Sequence, residues 1–257
     1  MKSDNKDLFA QNYCLSFIDL LGQKNQYKDE GFLPVFKTPA DRDEFNQVIR
    51  STIRPIVDLQ KSAYQMMNAA FNLRSPLKKS LPVELHEAYD QMRKVKVKHQ
   101  RWSDGMIFYV CLGDKEVSCP MTGIFHLFAL SGSLCFVGLA KGRPLRGSID
   151  AAWGVELHEN ELYGAIIAKA YELESYIAQY PRIVVGDRTV QYLETISQLT
   201  DTDHLSRYSA LLAQKCLSML IQDVDGYFFI DYLGETFKTN VSKKQHGLIY
   251  DRAFEFV

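Results

Sequence analysis

The hydrophobic positions of the chain follow two periods, and segments of the two kinds alternate along it. Apolar runs of strand length lie at residues 13–21, 95–102, 106–112 and 145–155, with shorter ones in PRIVVGD and DGYFFIDYL. Apolar residues spaced i, i+3 and i+4 predict helices over about residues 45–71, 83–94, 162–177, 189–199 and 205–221. This order of elements predicts a mixed α/β or α+β sandwich built around one sheet.

Turn residues separate these elements. The segment SDG at residues 103–105 stands between two strand runs, which is typical of a hairpin, and DVDG at residues 223–226 predicts a second hairpin turn. A polar loop is expected over residues 22–42 and a linker over residues 75–82. Pro55 predicts that the first helix is kinked or divided there.

Residues 117–140 carry no acidic or basic side chain, over a length close to that needed to cross a bilayer. Pro120, Gly123, His126 and further small or polar residues interrupt the segment. These interruptions favour a buried helix in a protein core or subunit interface over a membrane span. We therefore expect no membrane association.

Composition narrows the class of protein further. The chain has 257 residues, of which 46% are hydrophobic, so it can bury a full core as one large domain or two small ones. A net charge of -1 and a pI near 6.6 provide no basic surface for a DNA or RNA polymer but permit binding of a single nucleotide. Five scattered cysteines predict free thiols in a reducing compartment, and the polar N-terminus lacks a secretory apolar region. We therefore expect a cytoplasmic protein.

A carboxylate interrupts the first strand. Asp19 lies between Ile18 and Leu20 near the end of a buried run, and Asp104 lies at the tip of the predicted hairpin. An ionised carboxylate in apolar surroundings requires donors or a cation. If the two strands are neighbours, the pair is suited to hold Mg²⁺ or Mn²⁺ together with water and substrate phosphates. Taken singly, Asp19 can instead cap a following helix, and Asp104 is a favoured turn residue.

Several motifs in order resemble a known family of enzymes. FIDLLGQ, WSDGMIFYV and LYGAIIAKAYELE resemble the metal-binding strand, the metal-binding hairpin and the WG-containing helix of class III nucleotidyl cyclases. Together with LRGSI they are most similar to the pyrimidine nucleotide cyclases of bacterial Pycsar antiphage systems, over about residues 12–185. The resemblance implies a single domain over residues 1–257. It implies an α+β, ferredoxin-like cyclase core with a mixed sheet flanked by helices, and a C-terminal α/β extension over about residues 186–257.

The resemblance also implies an activity and a partner. Such enzymes form head-to-tail homodimers with sites at the interface, and they convert a nucleoside triphosphate to the 3′,5′-cyclic monophosphate and pyrophosphate with two divalent ions, Mn²⁺ or Mg²⁺. Asp19 and Asp104 match the two metal aspartates, and the main-chain carbonyl of Ile18 or Leu20 is placed to add a metal ligand. The substrate would lie over the strand end and turn that contain Phe17, Ile18, Leu21, Gly22 and Gln23.

The sequence departs from the family pattern at its transition-state residues. Glu161 matches the base-reading acid of the motif, but Ala168 stands where the family has Asn and Glu172 where it has Arg. Neither Ala nor Glu can donate hydrogen bonds as Asn and Arg do. Three cations are expected near the site and could compensate: Arg146, Lys169 and Arg101. Each could instead be a surface charge or, for the first, an ion pair within the sheet.

The residue at the base-reading position bears on which nucleoside triphosphate is the expected substrate. Gln100 aligns with the base-reading Lys of adenylyl cyclases, and its amide can match either pyrimidine edge, with Glu161 or Arg101 expected to fix its orientation. From the resemblance we expect UTP as substrate and cUMP as product, read by a separate cyclic-nucleotide-binding effector, with CTP and cCMP as the alternative. The losses at Ala168 and Glu172 keep open a non-catalytic nucleotide-sensing or dimerisation module. An unrelated metal-dependent phosphotransferase with the same Asp pair is a third alternative.

Overall fold

The computed structural model describes residues 8–22, 34–72, 82–95, 97–113, 119–158, 160–200, 203–241, 252, 253 and 255. Its strands are β1 (Gln11–Leu20), β2 (Lys98–Trp102), β3 (Gly105–Cys111), β4 (Leu145–His158), β5 (Glu161–Tyr163), β6 (Ile183–Val185), β7 (Leu220–Gln222) and β8 (Phe228–Ile230). Its helices are α1 (Pro39–Asn72), α2 (His86–Met92), α3 (Pro120–Ala140), α4 (Ala165–Glu172), α5 (Asp187–Ser197), α6 (His204–Ser218) and α7 (Glu235–Val241). A 3₁₀ turn at Val83–Leu85 precedes α2, and a π-helical turn at Leu173–Ile177 extends α4.

Strands β1 to β4 form an antiparallel sheet in the order β2-β3-β1-β4. The central strand β1 pairs with β3 from Tyr13 to Ile18 and with β4 along its whole length. With the intervening helices, these strands follow the β-α-β-β-α-β chain order of a ferredoxin-like fold. The expected α+β architecture, with helices flanking one sheet, is therefore confirmed.

Short strands continue this sheet beyond β4. Strand β6 lies parallel to β4, with Ile183 opposite Gly147, and the β7–β8 hairpin pairs antiparallel with β6. The turn of this hairpin is the predicted one at residues 223–226, where the Gly226 N–H donates to the Asp223 carbonyl at 2.9 Å. The C-terminal extension thus adds strands to the core sheet.

Alternation along β1 divides the core into two layers. Cys14, Ile18 and Leu20 belong to the layer covered by α1 and α3, which we call the α3 face of the sheet. Leu15 and Phe17 belong to the layer covered by α4, which we call the α4 face. Because successive side chains of a strand point to opposite sides, the residue after Ile18 joins the α4 face.

Helix α3 is the apolar segment that was predicted to be buried. Among the described helices it alone is long and apolar enough to cross a membrane, but 67% of its apolar window is buried inside the protein. Ser131 Oγ donates to the Leu127 carbonyl at 2.6 Å and lies 2.7 Å from Ser16 Oγ on β1, so these buried hydroxyls are paired. The prediction of a core helix is confirmed for residues 120–140, and residues 117 and 118 lie outside the described part.

The helix predicted over residues 162–177 differs most from the structure. Residues Glu161–Tyr163 pair with β4 as β5, and Gly164, with a φ of 129°, turns the chain into α4. Glycine adopts this backbone conformation without steric cost. The helix then widens into the π-helical turn, which a search for a period of 3.6 residues does not reveal.

Smaller differences concern the ends and continuity of helices. Helix α6 ends at Ser218, so its predicted end at residue 221 is wrong, because Leu220–Gln222 pair as β7. Helix α1 continues through Pro55, so the division considered there is wrong. Residues 23–33 of the polar loop and residues 75–81 of the linker lie outside the described part.

Candidate active site

The end of β1 brings Asp19 beside Arg146 of β4. The two residues are direct partners in the β1–β4 register, and Asp19 Oδ2 lies 3.7 Å from Arg146 Nη2. Their side chains are only 17% and 18% exposed. Asp19 therefore has a cationic partner, Arg146, on the neighbouring strand of the same sheet. This contact is the ion pair within the sheet that the sequence allowed for Arg146.

The β2–β3 hairpin places Asp104 at the same end of the sheet. Strand β3 pairs directly with β1, with Met106 opposite Ile18, so the two strands are neighbours, which was the condition for a shared site. Gly105 permits the close approach, because a Cβ at this position would lie 2.7 Å from the Ile18 carbonyl oxygen and 3.4 Å from Asp19 Oδ1. The two predicted carboxylates thus lie close enough for the charge of Asp104 to act on Asp19.

A third carboxylate, Glu174, was not expected. It comes from the π-helical turn after α4, and its side chain is 3% exposed. Its Oε1 lies 2.5 Å from Arg146 Nε, in an ion pair without the alignment of a hydrogen bond, and Ser175 donates to its Oε2 at 2.7 Å. The available sequence signal was its spacing, because Ile166, Ala170 and Glu174 follow each other at four-residue intervals along the buried stripe of the helix.

Arg182 anchors the π-helical turn from the C-terminal side. Its guanidinium donates to the Ile177 carbonyl at 2.7 Å, to Asp223 at 2.7 Å and to Asp225 at 2.5 Å. Arg182 is almost fully buried, so these charged hydrogen bonds form in a poorly solvated environment. The β7–β8 turn therefore helps to fix the segment that carries Glu174.

The charges around Asp19 do not balance. Burial, together with the negative charges of Asp104 and Glu174, raises the pKa of Asp19 to about 7. The Arg146 guanidinium and a hydrogen bond from the Leu20 main chain oppose this rise. Asp19 and Glu174 therefore share one arginine, the charge of Asp104 adds to their repulsion, and a further cation would relieve it.

The arrangement fits a hard divalent cation. Mg²⁺ and Mn²⁺ are typically held by one or two carboxylates with water and substrate phosphates, and Asp19 and Asp104 supply two carboxylates at one sheet end. Within the described ranges, no group of three or more His, Cys, Asp or Glu side chains is placed to hold a metal. Among the described residues, Asp19 and Asp104 would therefore be part of a coordination shell here, and a bound ion would need further ligands.

The predicted substrate-binding residues at the end of β1 lie on different faces of the sheet. Ile18 and Leu20 are buried in the α3 face, so only their main chain is available to the site. Leu21 is half-buried, and Gly22 is exposed with a φ of 89°. Phe17 is buried in the α4 face. The last residue of the predicted phosphate turn, at position 23, lies outside the described part.

Two exposed aromatic side chains flank Phe17, and the sequence reasoning missed both. Trp102 and Tyr171 each stand edge-on to Phe17 with ring centroids 6.3 Å apart, and each is 43% exposed. They come from the end of β2 and from α4. Flat aromatic surface is therefore available beside the carboxylates for a base or a partner protein.

Gln100 and Arg101 lie on opposite faces of the sheet. Gln100 Oε1 accepts a hydrogen bond from the Leu162 N–H at 3.1 Å on the α4 face. Arg101 Nη2 donates to Tyr64 Oη of α1 at 3.4 Å on the α3 face. The group that orients the Gln100 amide is therefore the main chain of β5, not Glu161 or Arg101 as predicted.

The remaining predicted residues lie on the outer surface of β5 and α4. Glu161, Ala168, Lys169 and Glu172 are all exposed. Lys169 Nζ pairs with Glu172 Oε2 at 2.8 Å, so the acid at the position where the resemblance led us to look for arginine holds this lysine. Of the three cations predicted near the site, Arg146 is the one that contacts Asp19.

Comparison with known proteins leaves the family open. The chain matches no protein-family model and no curated protein. Solved structures that match include the crystal structure of the adenylyl cyclase CyaB from P. aeruginosa, with 12% sequence identity over 74% of this chain and 83% of that chain and a TM-score of 0.38. A likeness at this level supports no conclusion about function, which therefore depends on the geometry of the site.

Proposed function

We propose that the protein is a nucleotidyl cyclase that converts UTP to cUMP and pyrophosphate at the Asp19–Asp104 site. The observation that carries the proposal is the position of these carboxylates at one end of neighbouring strands, close enough to raise the pKa of Asp19. The same residues occupy the motifs that resemble the metal-binding strand and hairpin of class III nucleotidyl cyclases. Sequence motif and geometry thus indicate the same pair.

The proposed role of the two carboxylates is to hold divalent ions and the triphosphate together. Two such ions, Mn²⁺ or Mg²⁺, when bound there would lower the pKa of the ribose 3′-hydroxyl and offset charge on the phosphates. Asp19 must be ionised to act as a ligand, and with a pKa of about 7 it is only partly ionised at neutral pH before a cation binds. Gly22, with its positive φ, lets the main chain after β1 approach the phosphates.

We propose that Arg146 stabilises the negative charge that develops on the phosphates during the reaction. Glu174 contacts its Nε and Asp19 lies near its Nη2, so two ion pairs fix the position of the guanidinium before substrate binds. A pre-organised cation in a poorly solvated site stabilises developing negative charge more than a mobile surface cation does. Lys169 is exposed and paired with Glu172, which makes it the weaker candidate.

The orientation of Gln100 favours uracil over cytosine. Its Oε1 already accepts the Leu162 N–H, so its amide nitrogen is the group left to meet a base. UTP presents a carbonyl acceptor at the position where CTP presents an amino donor. A fixed donor matches the first and leaves the second mismatched, and polar mismatch of this kind discriminates strongly.

We further propose that two copies of the chain assemble head to tail through the α4 face. Trp102 and Tyr171 are exposed beside the carboxylates, and aromatic side chains are enriched in protein interfaces. Mixing an Asp19→Asn chain with a Gln100→Ala chain should then restore about one intact site per heterodimer. If no activity returns in a mixture shown to exchange subunits, each chain carries a complete site and the shared-site assembly is refuted.

The proposal also includes a biological role, which rests on the resemblance to Pycsar cyclases. The product would be a cytoplasmic second messenger in antiphage defence, read by a separate cyclic-nucleotide-binding effector. Measurement of cUMP in phage-infected cells that carry the intact chain or its Asp19→Asn variant tests this role. A rise confined to the intact chain is expected, and equal levels in both cultures would refute it.

Incubation of the purified protein with each of the four nucleoside triphosphates and Mn²⁺ tests the activity, with products separated by chromatography. We expect cyclic product chiefly from UTP, and none from the Asp104→Asn variant. Equal UTP and CTP in one reaction then test the base. Predominance of cCMP would refute the assignment of uracil, and absence of every cyclic product would leave the non-catalytic nucleotide-binding module as the function to test.

A further inference from the structure

A cavity lies on the α3 face of the sheet, opposite the candidate active site. It opens between α1 and α3 over the ends of β1 and β4, with a volume of about 490 Å³. This volume is within the usual range of small-molecule sites. Its apolar lining comes from both helices and both strand ends, through Leu20, Pro55, Leu59, Leu134, Val137 and Leu145.

The polar part of the lining carries excess positive charge. It consists of three cations and one carboxylate, with two serines between them: Arg54, Lys141, Arg143, Asp58, Ser51 and Ser62. In the described part of the chain, Arg54 and Arg143 take part in no ion pair. Lys141 Nζ donates to the Ser62 hydroxyl at 3.4 Å. The rim is therefore suited to an anion.

Helix geometry alone does not explain this grouping of cations. Lys141 and Arg143 follow the C-terminus of α3, where cations are generally favoured by the helix dipole. Arg54 lies in the middle of α1 and has no helix end beside it. Cations from two separate elements thus converge on one apolar hollow.

We propose that this cavity binds a small amphipathic anion. Its apolar body would lie on the leucine-lined floor, and its carboxylate or phosphate head would lie toward Arg54, Lys141 and Arg143. An apolar enclosure with a few polar groups that fix orientation is the usual composition of a ligand site. The three cations are exposed at the rim, so an uncharged ligand would gain no ion pair from them, whereas an anion would.

The cavity is connected to the candidate active site by two successive residue pairs of the β1–β4 ladder. Leu20 and Leu145 line it and are partners in the β1–β4 register, and the next pair in that register is Asp19 and Arg146 on the other face. A ligand that shifts the first pair acts on strand ends that carry the second. Binding in the cavity should therefore change the turnover at the candidate active site. This expected change rests on the proposed function, whereas the binding itself does not.

Calorimetric titration of the full chain tests the binding, with decanoate and decyl phosphate as anionic probes and decanol as the uncharged control. We expect saturable binding of one anion per chain and at least tenfold weaker binding of decanol. Decanoate tighter than decyl phosphate would identify a carboxylate ligand, and the reverse order a phosphorylated one. Arg54→Gln should weaken anion binding about tenfold or more. Arg50→Gln, one turn earlier on α1 and outside the cavity, should change it less than about twofold.

Two further variants distinguish binding in the cavity from the proposed activity at the Asp19–Asp104 site. Val137→Phe, which fills the cavity from α3, should abolish binding, and Asp19→Asn should leave it unchanged. Failure of both anions to bind saturably would overturn the inference, as would equal effects of Arg54→Gln and Arg50→Gln. Because Asp19→Asn removes the proposed cyclase activity and not the cavity, the two proposals can fail independently.

Discussion

The two faces of the sheet at the β1–β4 end are built from alternate residues of the same strands, yet they differ in chemistry. On the α3 face, Ile18, Leu20 and Leu145 are buried under helices of 34 and 21 residues. On the α4 face, Asp19 and Arg146 form an ion pair beneath an eight-residue helix and a π-helical turn. At this end of the sheet, a buried apolar layer lies on one face and a cluster of unbalanced charges on the other.

This separation depends on strand register. A slip of one residue in β1 would exchange the two sets of side chains, because strand side chains alternate with a period of two. Pairing on both sides of β1, with β3 and with β4, fixes the register. The apolar layer on the α3 face therefore sets the position of the carboxylate on the α4 face.

The largest effect is expected from neutralising the carboxylates. Asp19→Asn and Asp104→Asn should each lower turnover on the order of 10³-fold or more, and the double variant should be scarcely worse, because groups that act as a unit are not additive. Turnover with UTP and Mn²⁺ measures this, and Asp43→Asn, an exposed acid of α1, is the matched control. Substantial activity in either single variant contradicts the assignment.

Removal of Arg146 should destabilise the fold strongly. Arg146→Met leaves Asp19 and Glu174 without their arginine, and breaking a buried ion pair generally costs roughly 3–5 kcal/mol. Urea denaturation should also show partial recovery in the Arg146→Met/Glu174→Leu double variant. Lys169→Met, which removes an exposed ion pair, should cost less than about 1 kcal/mol. Equal losses for the two single variants would show that burial of the cluster contributes nothing.

A methyl group at Gly105 should separate the two carboxylate-bearing strands. Gly105→Ala places a Cβ 2.7 Å from the Ile18 carbonyl oxygen, and overpacking of this kind typically costs about 1–3 kcal/mol. Turnover should fall as well, because the hairpin that carries Asp104 must shift. Gly113→Ala is the control, since a Cβ there meets nothing within 4 Å. Wild-type stability and turnover in Gly105→Ala would show that the close approach is not required.

A smaller effect is expected on the pH dependence of stability. The pKa of Asp19 is about 7 in the folded chain against its ordinary value of 3.8, so between these pH values the folded state holds more protons than the unfolded state. In metal-free protein, the free energy of unfolding should therefore fall as pH rises through this window. Asp19→Asn should remove this slope and make the chain more stable than the wild type at pH 8. A variant less stable than wild type at pH 8 contradicts the cause assigned to the shift.

The sequence predicted the buried helix α3 and the two aspartates because these features follow from simple local rules. A continuous apolar run placed Asp19 near the end of a buried strand, and Ser-Asp-Gly predicted the hairpin that carries Asp104. The alternation of side chains along a strand could have shown that Gln100 and Arg101, adjacent in β2, must face opposite sides.

The rest of the candidate site depends on contacts that are distant in sequence. Glu174 reaches the cluster through a π-helical turn, which changes the angular position of every later side chain relative to an α-helix. Gln100 is oriented by a main-chain group 62 residues away, in a short strand that the helical period concealed. The four-residue spacing that ends at Glu174 indicates that this residue is buried but not that it lies beside Arg146, and no local pattern indicates the contact of Gln100.

Binding of Mn²⁺ tests the central claim most directly, because it reports on Asp19 and Asp104 without requiring turnover. Electron paramagnetic resonance titrations in the presence of a non-hydrolysable UTP analogue should show two tightly bound Mn²⁺ ions per site in the intact chain. Asp19→Asn and Asp104→Asn should each weaken this binding on the order of tenfold or more. The same Mn²⁺ affinity and stoichiometry in all three proteins would contradict the account.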